Sequence, residues 1–163
     1  MTPVESAREI LSALNRAGVR EIVMCAGARN APFVAALDGD PRFQVHSFFE
    51  ERSAGFFALG RILDAGAPAA VITTSGTAAA ELLPACIEAE YQGLPLIMVT
   101  ADRPRRYRGT GAPQTIVQPG LYSCYVGYEA DIEGAWGGAI PEGVSRPVHL
   151  NVCFDEPLWG RHA

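Results

Sequence analysis

The chain has 163 residues, enough for one domain of common size, and 48% of them are hydrophobic, so a disordered chain is excluded. A net charge of −5 argues against nucleic acid as the partner, and no run of about 18 apolar residues offers a membrane span. The N-terminal stretch MTPVESAREILSALNRAG is amphipathic and carries acids, unlike a signal or transit peptide, so a cytoplasmic location is expected.

Helix and strand alternate along the chain. Residues 3–17 place Val4, Ala7, Ile10, Leu11 and Leu14 at helical spacing, ahead of Gly18. Glu21–Cys25 reads as a short buried strand, the segment AGARNAP as a turn and residues 31–38 as a short helix. Phe43–Ser47 is the next strand. Residues 50–65 form a helix with acids at its start and Gly66 past its end. Ala69–Thr73 is an apolar strand, and Thr74 or Ser75 is placed to cap a helix over 76–91 that stops at Gly93. Leu94–Thr100 is a further strand, and 102–120 an arginine-rich loop. The remainder offers a strand near 122–128, a glycine-rich stretch, and a last strand over Pro147–Val152.

This order implies right-handed βαβ crossovers: a single α/β domain over 1–163, with a mostly parallel central sheet and helices on both faces. Ligands gather beyond the carboxyl ends of such strands. The segments AGARN, SFFEER, TSGT and TADRP all fall there, although α/β turns are polar even without a ligand.

The residue types narrow the chemistry. There is no lysine, which removes a Schiff base and a P-loop lysine, so fixed positive charge comes from arginine. Cys25, Cys86, Cys124 and Cys153 form no CxxC pair, so they read as reduced thiols serving as small apolar residues, and no metal site is expected on this chain. Glu50 and Glu51 suit a helix dipole at a first turn. TTSGTAAA (73–80) puts hydroxyls and backbone N–H groups at a helix start, either as a simple cap or facing a ligand. The helix carrying Gly55, Phe56, Phe57, Ala58, Leu59 and Gly60 is apolar nearly all round, so more than one face should be buried.

Six segments carry a resemblance: AGARNAP (26–32), HSFFEERSAGFFALG (46–60), ITTSGTAAAELLPACIEA (72–89), PLIMVTADRP (95–104), GTGAPQTIVQPGLY (109–122) and VHLNVCFDEPL (148–158). In this order they resemble the 2-succinyl-5-enolpyruvyl-6-hydroxy-3-cyclohexene-1-carboxylate synthases of menaquinone biosynthesis, in the thiamine-diphosphate enzyme superfamily. The glutamate-bearing segment alone marks the superfamily; TADRP and GAPQ mark the branch.

The resemblance implies a domain that holds the aminopyrimidine half of thiamine diphosphate. Glu51 matches the cofactor-activating carboxylate, and Ser75, Gly76 and Thr77 lie beside the cofactor. Arg29, Arg103 and Gln114 match positions that contact the acidic substrates, isochorismate and 2-oxoglutarate. Magnesium is expected on a diphosphate-binding domain or partner subunit, because no GDG motif with a following Asn occurs here. A homo-oligomer is also expected. The alternatives are the small subunit of a different split 2-oxoacid decarboxylase or carboligase, and a non-catalytic partner-binding module that kept the fold.

Two departures stand out. Ala28 replaces the family's usual serine before the arginine, and the stretch between Gln118 and Val148 is shorter than the pattern by roughly one helix. Arg105, Arg106 and Arg108 read as solvated charge, and His46 as a structural or functional residue alike.

Overall fold

The computed structural model describes residues 1–159. Eleven regular elements follow in the order α1 (Pro3–Arg16), β1 (Glu21–Cys25), α2 (Ala31–Leu37), β2 (Gln44–Phe48), α3 (Glu51–Ala65), β3 (Ala69–Thr73), α4 (Thr77–Ala80), α5 (Leu83–Gln92), β4 (Leu96–Asp102), β5 (Tyr128–Glu133) and β6 (Val148–Cys153). The six strands make one sheet in the order β2-β1-β3-β4-β6-β5, and every pairing is parallel. The expected fold class holds. Among the described residues no helix is long and apolar enough to cross a membrane.

Strand periodicity divides the core in two. Ile22, Met24, Ala70, Ile72, Ile97 and Val99 face α1 and α2. Val23, Cys25, Val71 and Met98 face α3 and α5 on the other side. The two inner strands β3 and β4 are buried at every residue, as a sheet covered on both faces requires. A capping box sets the start of α1: Thr2 Oγ1 accepts from the Glu5 N–H at 3.2 Å, and Glu5 Oε2 accepts from the Thr2 N–H at 2.7 Å.

Three expectations need correction. The helix over 76–91 is two helices, because Pro84 has no N–H to donate and its ring clashes with the carbonyl of Ala80. Neither Thr74 nor Ser75 caps α4; its N-cap is Gly76, without a side-chain bond. The strand near 122–128 is instead β5, starting at Tyr128, while Ser123–Tyr125 is a 3-10 turn with Ser123 at φ +42°. Tyr122 is apolar-facing for another reason: it is a buried plug whose hydroxyl donates to the Ala79 carbonyl at 2.6 Å. The glycine-rich stretch between β5 and β6 holds no helix or strand.

Candidate functional site

From β1 the chain turns outward to β2, and from β3 it proceeds the other way to β4. The order therefore reverses between β1 and β3, and a crevice at such a switch point is where α/β sheets bind ligands. Two turns meet there. Asn30 builds the first: its Oδ1 accepts the Gly27 N–H at 2.8 Å and its Nδ2 donates to the Cys25 carbonyl at 2.8 Å. The second turn, after β3, leans on it through Thr74, whose hydroxyl accepts the Arg29 N–H at 3.3 Å. A Cβ on Gly27 would lie 2.6 Å from Thr74 Cβ, so only glycine admits this approach. Asn30, a turn-forming residue in AGARN, could have been singled out from sequence by its turn chemistry.

After β2, whose last residue pairs with Cys25 at the end of β1, α3 begins, and its two acids part ways. Glu50 is the N-cap. Its carboxylate accepts from the Arg52 N–H at 3.0 Å, from the Ser53 N–H at 2.8 Å and from the Ser53 hydroxyl. The Ser53 bonds hold its pKa below the ordinary value. Glu51 occupies the first helical position, is half-buried, and has no hydrogen bond or ion pair to its carboxylate among the described residues. It lies near Cys25 at the end of β1: burial, then the charges of Glu51 and Glu50, push that thiol up to about 12.

Ser75 and Gly76 are buried at the turn, and Thr77 is exposed at the start of α4. The Gly76 N–H is taken by the side-chain carbonyl of Gln118 at 2.9 Å. Gln114 folds over the same turn, donating from Nε2 to the Ser75 carbonyl at 2.9 Å. Arg103 joins through the neighbouring residue, donating from Nε to the Pro113 carbonyl at 3.1 Å. The structure thus brings Ser75, Gly76, Gln114 and Arg103 into one contiguous group. Arg29 attaches by its backbone only. Its buried guanidinium runs across to the end of β6, donating to the Phe154 carbonyl at 3.1 Å and pairing with Glu156 at 3.2 Å.

Residues that the motifs contain but that carry no expected site role hold the other half of the sheet. Asn151 on β6 is fully buried and uses both ends of its amide. Its Oδ1 accepts from Gln118 Nε2 (2.7 Å) and Thr100 Oγ1 (3.0 Å). Its Nδ2 donates to Asp102 (3.1 Å) and Asp131 (2.8 Å). Asp102, also fully buried, accepts the Arg103 N–H at 2.8 Å and pairs with Arg108 at 3.1 Å. His149 stands between Glu129 (3.0 Å) and Thr100 (2.8 Å). Burial would raise the Asp131 carboxyl, but hydrogen bonds from Arg108 and Asn151 outweigh it and hold the pKa well below the usual range.

Arg105 and Arg106 are exposed, as solvated charges are expected to be, whereas Arg108 is largely covered, and all three have acid partners. Arg105 pairs with Asp131, Arg106 with Asp155, and Arg108 with Asp102 and Asp131. His46 also resolves: at 3.0 Å from Glu21, which Arg61 holds as well, it belongs to an ion-pair group at the opposite end of the sheet from the crevice.

Comparison with known proteins gives a consistent picture. Residues 5–121 match the family model described as thiamine pyrophosphate enzyme, N-terminal TPP binding domain. Over 160 residues the chain is 55% identical to a 2-succinyl-5-enolpyruvyl-6-hydroxy-3-cyclohexene-1-carboxylate synthase of Bdellovibrio bacteriovorus, covering 97% of the chain and 30% of that protein. Synthases of the same name from Akkermansia muciniphila and Renibacterium salmoninarum are 44% and 42% identical, covering 96% and 95% of the chain and 30% of each relative. The chain spans about 30% of the length of these curated relatives.

Proposed function

The chain belongs to the thiamine pyrophosphate enzyme N-terminal TPP binding domain family, and from that premise we propose that it is the pyrimidine-binding part of a carboligase joining decarboxylated 2-oxoglutarate to isochorismate. The observation that carries this reading is the contrast at α3. Glu50 is spent on the helix end, and Glu51 presents a half-buried carboxylate with no intramolecular donor beside the switch point. Such a group fits the N1′ position of an aminopyrimidine, which needs a carboxyl able to share a proton with the ring nitrogen away from bulk water.

Bound thiamine diphosphate supplies the carbanion chemistry at its thiazolium ring. The chain's own residues do the rest. Glu51 holds and returns a proton at its carboxylate. The turn of Ser75, Gly76 and Thr77 forms the wall beside it. Arg103 and Gln114, and Arg29 across the sheet end, meet the carboxylates of the acidic substrates through donors. The Glu156 pairing of Arg29 is with an exposed carboxylate, which a substrate carboxylate can displace at little cost.

The remaining length of the relatives is where a diphosphate- and magnesium-binding domain or partner subunit belongs in this reading. Turnover is therefore expected only with that partner, and Glu51→Ala should abolish it. Full activity of the variant in the presence of the partner would falsify the assignment.

The outer side of α3 favours a paired assembly. Phe56 and Leu63 are 44% and 63% exposed one above the other, with fully exposed Phe49 ahead of them. A second copy covers this strip, and a clean monomer by light scattering of the complete assembly would contradict it.

A further inference from the structure

Two residues at the switch point hold uncommon backbone conformations, and they touch each other. Gly76 has φ +82° and ψ −142°, while Gln114, which is not a glycine, has φ +58°. A Cβ on Gly76 would lie 2.8 Å from Gln114 Cγ, so the pair is packed without slack. A left-handed glutamine in an exposed loop persists only where its surroundings over-determine it.

Gln118, four residues on, supplies that constraint. Its side chain is fully buried. The carbonyl end accepts the Gly76 N–H at 2.9 Å. The amide end donates to the Ala101 carbonyl at 3.3 Å and to Asn151 Oδ1 at 2.7 Å. Each side-chain end thus anchors the loop to a different part of the sheet: one to the turn after β3, the other to β4 and β6. Gln114, an exposed residue of that anchored loop, is held over Ser75 by its own amide.

We propose that Gln118 is a positioning residue that acts through Gln114. By clamping the Gly76 turn to the inner strands, it sets where the Gln114 amide stands in the substrate subsite. The consequence for substrate rests on the thiamine-diphosphate reading above; the clamp itself does not.

The test has two arms. In the full 163-residue chain, hydrogen exchange by NMR compares wild type with Gln118→Ala. Exchange of the Gly76 amide should rise about tenfold or more, as for one lost hydrogen bond, and the Gln114 side-chain amide should lose its protection, while Val99 in β4 is unchanged. If Gln118→Ala does not fold, Gln118→Glu keeps the volume and the acceptor but loses both donations, and the same Gln114 change is expected. A Gln114 amide that stays protected in the folded variant overturns the proposal. So does failure of both variants to fold, which would make Gln118 a core residue only.

In the assembly with its diphosphate-binding partner, Gln118→Ala should raise KM for the acidic substrate about tenfold with kcat little changed. The double variant Gln114→Ala/Gln118→Ala should be no worse than Gln114→Ala. Additive losses would overturn action through Gln114. Turnover insensitive to Glu51→Ala would sink the cofactor reading and leave the exchange result standing.

Discussion

The two halves of the sheet share the habit of pairing their buried polar groups, and they differ at one acid. On β4, β5 and β6, Asn151, Asp102, His149 and Asp131 sit among apolar residues, and each is hydrogen-bonded or ion-paired to its neighbours. Around β1, β2 and β3 the helices bring an apolar cover, and one half-buried carboxylate, Glu51, is left without a partner. A buried polar group is costly unless it is paired, so this network, in which Arg108 Nε alone lacks a partner among the described residues, reads as structure, and an uncommitted carboxylate at a strand end points to a ligand. The difference teaches which acids to count as scaffold, and it runs against their visibility in the sequence.

The comparison breaks most readily at Asn151. Asn151→Leu keeps the volume but removes four hydrogen bonds, leaving the Gln118 and Thr100 donors and two carboxylates short of partners. The expected loss is about 3 kcal/mol or more, a fall in Tm of roughly 6–12 °C for a domain of this size, read by thermal circular dichroism. A Tm within about 2 °C of wild type would mean that the network is not scaffold.

A smaller effect sharpens the same contrast through pH. The folded pKa of Asp131 lies below its unfolded value, so its stabilisation is present above the ordinary carboxylate range, near pH 4, and is lost as pH falls through the folded value. Asp131→Asn should therefore lower stability at neutral pH and flatten the acid limb of the stability curve in chemical denaturation. An unchanged acid limb would contradict the ion pair with Arg108.

Much of the left half was legible in advance. β1 and β3 match their apolar runs residue for residue, and Gly66 ends α3 in the left-handed conformation expected of a helix stop. The strand-end motifs lie at one edge of the sheet, because parallel strands all end there. The right half was hidden for a physical reason. Asn151 lies inside a strand and Asp102 ends one, where a period-2 reading expects apolar residues, and the partners of Asn151 come from residues 20 to 51 positions away. Arg108 looked solvated because its acids belong to β4 and β5. The break between α4 and α5 is legible from Pro84. Glu51 could be told from Glu50 only through the resemblance; by charge and position both are first-turn acids, and it took coordinates to show that one is consumed as a cap.

That pair of neighbours offers the most direct measurement. Glu50→Gln and Glu51→Gln, each assembled with the diphosphate-binding partner and thiamine diphosphate, are compared for turnover and for Tm. Glu51→Gln should lower turnover by a factor of about 10² to 10⁴ at unchanged Tm, while Glu50→Gln should lower Tm through its weakened cap and leave turnover within severalfold of wild type. The reverse pattern, with turnover lost at position 50 and kept at position 51, would contradict the account.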